Sequence, residues 1–232
     1  MNGFLLVNKP AGKTSYDIIR KLKTVIPPKS KIGHSGTLDP FATGLLIIAI
    51  GRQFTKQLNT LLNLDKVYTA EITLGTKTDS YDIDGKETYK HPTPLNIEKS
   101  TIEKILKKFK GTIEQVPPIY SAKKIDGISA HKRARRGEII ELKPSTVTIY
   151  DIKLNNYNEE TGVINIEVHC SKGTYIRSLA HDIGEALNVG GFLSKLCRSS
   201  IGDISLTNAI SENEITPTTI NNKLLIELPL KK

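Results

Sequence analysis

The chain of 232 residues contains no tryptophan, one methionine and only two cysteines, Cys170 and Cys197. The cysteines lie far apart and form no CxxC pair, which argues against a disulfide scaffold and favours a reducing compartment. No apolar run is long enough for a membrane-spanning helix, and the apolar part of the N-terminus is too short for a signal peptide. We therefore expect a soluble, cytoplasmic protein.

Acidic residues are in deficit. Lysine and arginine total 33 against 24 acidic residues, which gives a formal net charge of +9 and a pI near 9.4. This balance favours a polyanionic partner, most simply a nucleic acid, although a generally cationic surface would produce the same numbers.

Known cofactor motifs are also missing. The sequence has no P-loop, no dinucleotide-binding fingerprint and no cysteine–histidine cluster. Asp79, Asp82 and Asp84 follow one another closely, but they lack the third ligand and the closing glutamate of an EF-hand. We expect no metal and no other cofactor.

Hydrophobic patterns predict interleaved strands and helices. Strands are expected at residues 4–7, 45–50, 67–74 and 163–170, of which 45–50 should be buried on both faces. Helices should begin at Thr14 or Ser15, at a capping box formed by residues 100–103, and after Gly173. Residues 194–204 are interpreted as a short basic and then apolar segment. The irregular order predicts an α+β domain with a mixed or antiparallel sheet flanked by helices.

One loop is unusually rich in residues that fix backbone geometry. It reads Gly33-His34-Ser35-Gly36-Thr37-Leu38-Asp39-Pro40-Phe41-Ala42-Thr43-Gly44. Glycine and proline set special backbone angles, so a rigid loop presents the Asp39 carboxylate just before a core strand. The carboxylate is either a turn former or a reagent, because Asp-Pro pairs are ordinary in turns.

This loop resembles the catalytic motif of the TruB family of pseudouridine synthases, which convert uridine 55 in the T arm of tRNA to pseudouridine. The resemblance implies that Asp39 is the nucleophile and that no cofactor is needed. It also implies the pseudouridine synthase fold, a large mixed sheet with the active cleft across its middle.

Three further residues match motifs of the same family. Asn8-Lys9-Pro10-Ala11-Gly12-Lys13-Thr14-Ser15 resembles its first motif, which assigns Lys9 a supporting place among the substrate-binding residues. In this family the matching histidine contacts the RNA and helps to hold the target base out of the stack, which implies this role for His34. The family's tyrosine that stacks on the target uracil corresponds to Tyr68. The apolar pattern alone predicts equally well that Tyr68 is a core residue.

Arg177 lies in the first turns of a predicted helix, where the macrodipole disfavours a cation, so a carboxylate partner is expected. Cys170-Ser171-Lys172-Gly173-Thr174-Tyr175-Ile176-Arg177-Ser178-Leu179 resembles the third family motif. The resemblance implies an ion pair between Arg177 and Asp39, and contact of Tyr175 with the substrate nucleotide. It also implies that Leu196 forms a wall of the uracil pocket, although Leu196 could equally be a plain core residue.

A basic segment within residues 111–144 resembles the RNA-clasping thumb insertion of the family. Its cations are Lys123, Lys124, Lys132, Arg133, Arg135 and Arg136. We expect them to neutralise phosphates of an RNA hairpin, which makes binding depend on salt. His131 departs from the family, which usually has tyrosine there.

We expect residues 1–210 to form the catalytic domain and residues 211–232 a short tail, too short for the PUA domain that many bacterial relatives carry. The expected partner is the T-arm stem-loop of tRNA, bound by a monomer that needs no protein partner. Two alternatives stay open: an RNA-guided subunit that modifies rRNA, and a non-catalytic tRNA-binding chaperone.

Overall fold

The fold is taken from a computed structural model. It describes residues 1–121, 124–125, 128–129, 133, 136, 138 and 142–229. The chain forms two compact units, one of residues 1–69 with 196–232 and the other of residues 70–195. None of the helices in the described part is both long and apolar enough to span a membrane.

The strands and helices follow one another irregularly, as the sequence predicted. The strands are β1 Gly3–Lys9, β2 Ile32–His34, β3 Thr43–Ile50, β4 Lys66–Leu74, β5 Thr76–Thr78, β6 Glu87–Lys90, β7 Gly111–Gln115, β8 Lys124–Ile125, β9 Ile128–Ser129, β10 Ser145–Asn158, β11 Val163–Cys170, β12 Gly191–Ile201, β13 Ile204–Ser205 and β14 Ile210–Ser211. The α-helices are α1 Ser15–Lys23, α2 Arg52–Thr55, α3 Leu58–Asn63, α4 Lys99–Lys108, α5 Ile176–Ala186 and α6 Pro217–Lys223.

The first unit is built around β3. This strand pairs antiparallel with β1 and parallel with β12, and β1 also pairs parallel with β14. Leu46, Ile48 and Ile50 pack with apolar residues of α1 on one side. The alternate residues of β3 pack on the other side with Phe54 and Leu61. The expectation that residues 45–50 are buried on both faces is therefore confirmed.

The second unit contains an antiparallel succession of β11, β10 and β7. In β11 every second side chain is buried, from Ile164 to Cys170, and α5 buries Ile176, Leu179, Ala180 and Ile183. In β4, whose residues fall partly in each unit, Tyr68, Ala70, Ile72 and Leu74 are buried. The fold is α+β, with a large mixed sheet flanked by helices, as expected.

One local prediction was wrong, and one strand was missed. Helix α4 begins at Lys99 after Glu98, so Ser100 is already helical; its hydroxyl donates to the Glu98 carboxylate (3.1 Å) instead of capping the helix. Residues 194–204, which the sequence indicated only as a short basic and then apolar segment, belong mostly to the long strand β12, which was not predicted. The buried side chains of β12 do not alternate strictly with exposed ones. The sequence therefore lacks the alternation of apolar and polar residues that indicates a strand.

Residues between 211 and 229 belong to the first unit and contribute to its core. Ile220 of α6 is fully buried in the cluster that contains residues of β1, α1 and β3. Leu225 exchanges two backbone hydrogen bonds with Phe4, of 2.7 and 2.8 Å. The segment that we expected to be a tail therefore completes the core of this unit.

Candidate active site

The loop that carries Asp39 is tied to the chain between β1 and α1. The Leu38 amide donates to the Ser15 hydroxyl at 2.9 Å, and the Gly12 amide donates to the Pro40 carbonyl at 2.9 Å. Both neighbours of Asp39 are thus fixed by hydrogen bonds, while Asp39 itself is partly exposed. The hydrogen bonds thus fix the backbone on either side of a residue that is only partly buried.

The start of α1 is well defined, which places Ser15 under the loop. Thr14 caps the helix through a capping box with Asp17, whose carboxylate accepts from the Thr14 amide at 2.8 Å. Ser15 follows at once and is 1% exposed. The predicted cap at Thr14 or Ser15 is therefore confirmed at Thr14, and Ser15 is free to bond the loop.

Lys9 lies beneath the same loop. Its ammonium donates to three carbonyls, those of Pro10 (2.8 Å), Lys13 (2.6 Å) and Pro40 (3.2 Å). Burial lowers the pKa of Lys9 to about 8, against the opposing influence of the Asp39 carboxylate. Since these three carbonyls match the three donors of an ammonium group, we expect Lys9 to support the loop rather than to contact the substrate directly.

Arg198 of β12 is a second buried cation at the loop, and it was not predicted from the sequence. Its Nε donates to the Leu45 carbonyl at 2.8 Å and its Nη2 to the Gly36 carbonyl at 3.2 Å. Its strand pairs with the end of the loop at Gly44. No local pattern points to it, because its hydrogen bonds reach backbone groups more than 150 residues away in sequence.

His34 stands at the end of β2 and is partly buried. Burial lowers its pKa, and the nearby Arg198 cation lowers it further. Its imidazole is therefore neutral at pH 7, able to donate one hydrogen bond and accept another. The predicted contact of His34 with the RNA stays a prediction.

Tyr68 and Leu196 are 9% and 7% exposed, in β4 and β12. The Leu196 carbonyl accepts from the Thr43 hydroxyl at 3.3 Å, which ties its backbone to the end of the loop. Burial of this degree fits both a core residue and the wall of a small pocket. The roles of Tyr68 and Leu196 at the uracil therefore stay predictions.

In the second unit Arg177 forms a buried ion pair with Asp82. Arg177 Nη1 lies 3.1 Å from Asp82 Oδ2, and the two side chains are only 5% and 6% exposed. The guanidinium also donates to the carbonyls of Ser80 (3.3 Å) and Tyr120 (2.9 Å). The carboxylate partner expected for a cation at this helix start is present. The additional pairing of Arg177 with Asp39 stays a prediction.

The loop around Asp82 is itself ordered by hydrogen bonds. Asp82 Oδ1 accepts from the Ser80 hydroxyl (2.5 Å) and from the Asp84 amide (3.1 Å). Tyr81 between them has a left-handed backbone, φ 64°, and its ring stacks on His181 of α5 at 4.0 Å between centroids. The loop is thereby held against the helix that carries Arg177.

Tyr175 precedes α5 and is fixed through its backbone. Its amide donates to Gln115 Oε1 at 2.8 Å, and its carbonyl accepts from Gln115 Nε2 at 3.1 Å. Gln115 is 1% exposed and was not singled out from the sequence, because a lone glutamine carries no pattern. This pair of bonds orients Tyr175, whose contact with the nucleotide stays a prediction.

The basic segment is described only in part. Lys123, Lys132, Arg135 and the unusual His131 lie outside the described residues, and Lys124 begins the short strand β8. Arg133 and Arg136 lie 3.4 and 3.8 Å from the carboxylate oxygens of Glu138. At least one acid therefore accompanies these cations. Across the described ranges, groups of three acidic, histidine or cysteine residues that could hold a metal ion do not occur.

Comparison with known proteins places the chain in a family. Residues 20–176 match the sequence model of the TruB family pseudouridylate synthases (N-terminal domain). This chain belongs to the TruB family. The matched region of the TruB model includes Asp39, Tyr68 and Tyr175, whereas Lys9, Arg177 and Leu196 lie outside it.

Full-length relatives extend the TruB match over nearly the whole chain. The tRNA pseudouridine synthase B of Prochlorococcus marinus is 44% identical over 99% of this chain and 72% of its own length. That of Protochlamydia amoebophila is 42% identical over 97% and 84% of the two chains. That of Chlamydia felis is 46% identical over 90% and 86%.

Solved structures share the TruB fold. A Cbf5-Nop10-Gar1 complex contains a chain that is 27% identical, with a TM-score of 0.68, over 92% of this chain and 53% of that one. An H/ACA RNP bound to a substrate RNA containing 2'-deoxyuridine gives 25% identity and a TM-score of 0.65, over 92% and 52%. The chain thus spans about half the length of these solved relatives.

Proposed function

We propose that this chain converts uridine 55 in the T arm of tRNA to pseudouridine. The bond between N1 of uracil and C1' of ribose breaks, the base turns within the site, and C5 bonds to C1'. The hydrogen on C5 is lost and N1 gains one, so the reaction is an isomerisation. The observation that carries this proposal is 42–46% identity, over 90% or more of the chain, with proteins named tRNA pseudouridine synthase B.

Asp39 is the nucleophile in this proposal. The hydrogen bonds at Leu38 and Pro40 support it, because a fixed backbone holds a reacting group near its productive geometry. Three routes stay open: attack on the uracil ring, attack on the sugar, and abstraction of a proton toward a glycal intermediate.

The target base must leave the helical stack before Asp39 can reach it. We assign Tyr68 to stacking on the flipped uracil, an interaction of about 1–3 kcal/mol. Leu196 forms a wall of the pocket, Tyr175 contacts the nucleotide, and His34 helps to hold the base out. Arg177 pairs with Asp39 in addition to Asp82. The backbone hydrogen bonds of Tyr175 and the buried ion pair of Arg177 support fixed positions for these two residues.

The RNA is held mainly through phosphates. Lys123, Lys124, Lys132, Arg133, Arg135 and Arg136 are assigned to the T-arm stem-loop, consistent with the net charge of +9. The proposed enzyme acts in the cytoplasm as a monomer, without a cofactor or a protein partner.

A second candidate is RNA-guided modification within a multi-protein particle. The TM-scores of 0.65 and 0.68 with chains of such complexes favour it. Their identities of 25–27% are lower than the 42–46% of the tRNA pseudouridine synthases B, which supports the tRNA reaction. An RNA-guided subunit would not act on an isolated T-arm hairpin.

The deciding experiment uses a T-arm stem-loop labelled with tritium at C5 of uridine, without guide RNA or other proteins. We expect the wild-type chain to release tritium and Asp39→Asn to release none while it still binds the RNA, because the amide preserves the shape of the loop. Glu160→Gln, at an exposed position, controls for the loss of one negative charge. No release by the wild type, or turnover by Asp39→Asn, would contradict the proposal.

A further inference from the structure

Arg198 bonds both ends of the loop that carries Asp39. One guanidinium donates to the Gly36 carbonyl before Asp39 and to the Leu45 carbonyl after it. The side chain is 2% exposed, so these bonds are made away from water. The planar fork of arginine suits this task, since it presents several donors in fixed directions.

The backbone of Arg198 is fixed against the loop as well. Arg198 pairs with Gly44 in the parallel register of β12 and β3. Gly44 has φ 107°, and a Cβ added there would lie 2.6 Å from the Arg198 amide nitrogen. The close approach therefore requires glycine, and it fixes the backbone of Arg198 against the end of the loop.

Packing alone does not explain a cation at this position. Burying a guanidinium is costly, and a well-packed apolar side chain often gives a more stable core than a buried charge. A second cation, Lys9, lies close enough for the Arg198 charge to help lower its pKa. Two buried cations thus share one small region under the loop, where each bonds backbone carbonyls close to Asp39.

We propose that Arg198 is a positioning residue for the pseudouridine reaction. Its guanidinium fixes the separation of the two loop ends, while Lys9, Gly12 and Ser15 fix the middle of the loop next to Asp39. Without Arg198 the fold persists, but the loop samples other conformations and Asp39 loses its alignment. This inference rests on the proposed function.

The test compares Arg198→Lys and Arg198→Gln with Ile201→Val. Lysine keeps the charge but lacks the fork, and glutamine keeps a planar donor without the charge. Ile201 lies further along β12 and is fully buried in the core cluster that also contains Leu45, so its valine variant controls for a general loss of packing near the loop. Single-turnover rates are measured with the enzyme in saturating excess over the stem-loop, below the unfolding transition of every variant.

For Arg198→Lys we expect a rate about 100-fold lower than wild type, because small displacements of reacting groups cost about that factor. RNA affinity should stay unchanged, and lowering the temperature should not restore the rate. Ile201→Val should keep the wild-type rate. A wild-type rate in a folded Arg198→Lys or Arg198→Gln variant would overturn the proposal, as would a defect that disappears on cooling.

Hydrogen exchange supplies a readout that does not depend on activity. The amides of residues 33–45 should exchange faster in both Arg198 variants and at the wild-type rate in Ile201→Val. Unchanged exchange in both Arg198 variants would refute the positioning role. If the wild type itself releases no tritium, the proposed function fails, whereas exchange still decides whether Arg198 orders the loop.

Discussion

Arg177 and Asp82 form an ion pair in which both partners are almost completely buried. The atoms lie 3.1 Å apart, and each side chain makes further hydrogen bonds, Arg177 to two carbonyls and Asp82 to a hydroxyl and an amide. A buried pair with this many partners is sensitive to the loss of either charge, because the remaining charge is left without compensation. Arg177 thus depends on Asp82 for its place at the start of α5.

Replacing Asp82 by asparagine should destabilise the protein by about 3 kcal/mol, since it leaves the guanidinium buried beside a neutral group. Urea unfolding measures this loss. Asp84→Asn, in the same loop but exposed, should change stability little. Equal stability of Asp82→Asn and wild type would show that the ion pair makes no net contribution.

Arg177→Lys should lower turnover strongly and RNA affinity little. An ammonium group keeps the charge but cannot reproduce the directions in which the guanidinium meets Asp82, Ser80 and Tyr120. Single-turnover tritium release and filter binding separate the two effects. A wild-type rate would mean that Arg177 is merely a structural residue or a phosphate contact.

Asp182 provides a test of pH dependence. Burial, with a smaller influence of Glu185, raises the pKa of the Asp182 carboxyl to about 6. Because this lies above its value of 3.8 in the unfolded chain, ionisation penalises folding. The penalty is absent below about pH 4, grows between about pH 4 and 6, and stays constant above.

Asp182→Asn should therefore be more stable than wild type near pH 8, by on the order of 1 kcal/mol after allowance for solvent screening. The advantage should shrink as the pH falls from 6 toward 4. Urea titrations over this range, with Glu160→Gln as the control, check it. If Asp182→Asn were more stable than wild type by the same amount at every pH, the ionisation of Asp182 would not be the cause.

Removal of divalent ions should leave activity unchanged, because the proposed reaction uses only side chains and the RNA. The assay is tritium release in excess EDTA, with monovalent salt sufficient to keep the stem-loop folded. Thermal melting of the RNA in the same buffer is the control. A loss of turnover that only a divalent ion restores, with the RNA still folded, would contradict the proposal.

Replacing Arg133, Arg135 and Arg136 together by alanine should weaken RNA binding and its dependence on salt. Each phosphate contact contributes roughly 0.7–0.9 to the slope of log affinity against log salt, so the triple variant should lose about two to three such contributions. The KM for the stem-loop should rise by a larger factor than the maximal rate falls.

The matched control is the triple alanine variant of Lys104, Lys107 and Lys108, all exposed on α4. It removes the same charge from a surface that we have not assigned to RNA. Salt titrations on one stem-loop compare the two variants with wild type. If both triple variants lower the slope equally, the basic segment acts only through net charge.

Local patterns predicted those strands in which the buried residues are continuous or alternate strictly. The strands at 45–50, 67–74 and 163–170 were visible because their apolar residues are continuous or alternate. The long strand β12 was missed because its burial follows neither pattern. The Asp39 loop stood out because glycine and proline in this density restrict the backbone.

The partners of the site residues could not be predicted in the same way. Asp82 was considered only as part of a weak calcium motif, although it is the carboxylate that pairs with Arg177. Gln115 and Arg198 bond backbone groups far away in sequence. Such pairs depend on tertiary structure, and no spacing along the chain encodes them.

The division of the chain also bears on how it is made. Residues 1–69 require residues 196–232 to complete their unit, whereas residues 70–195 form one uninterrupted stretch. During synthesis on the ribosome, the later unit can therefore assemble first, while β1 waits for β14 and Leu225 and β3 waits for β12. The loop that bears Asp39 gains its bonds to Arg198 only when this residue leaves the exit tunnel, so we expect an unfinished chain to lack the proposed activity.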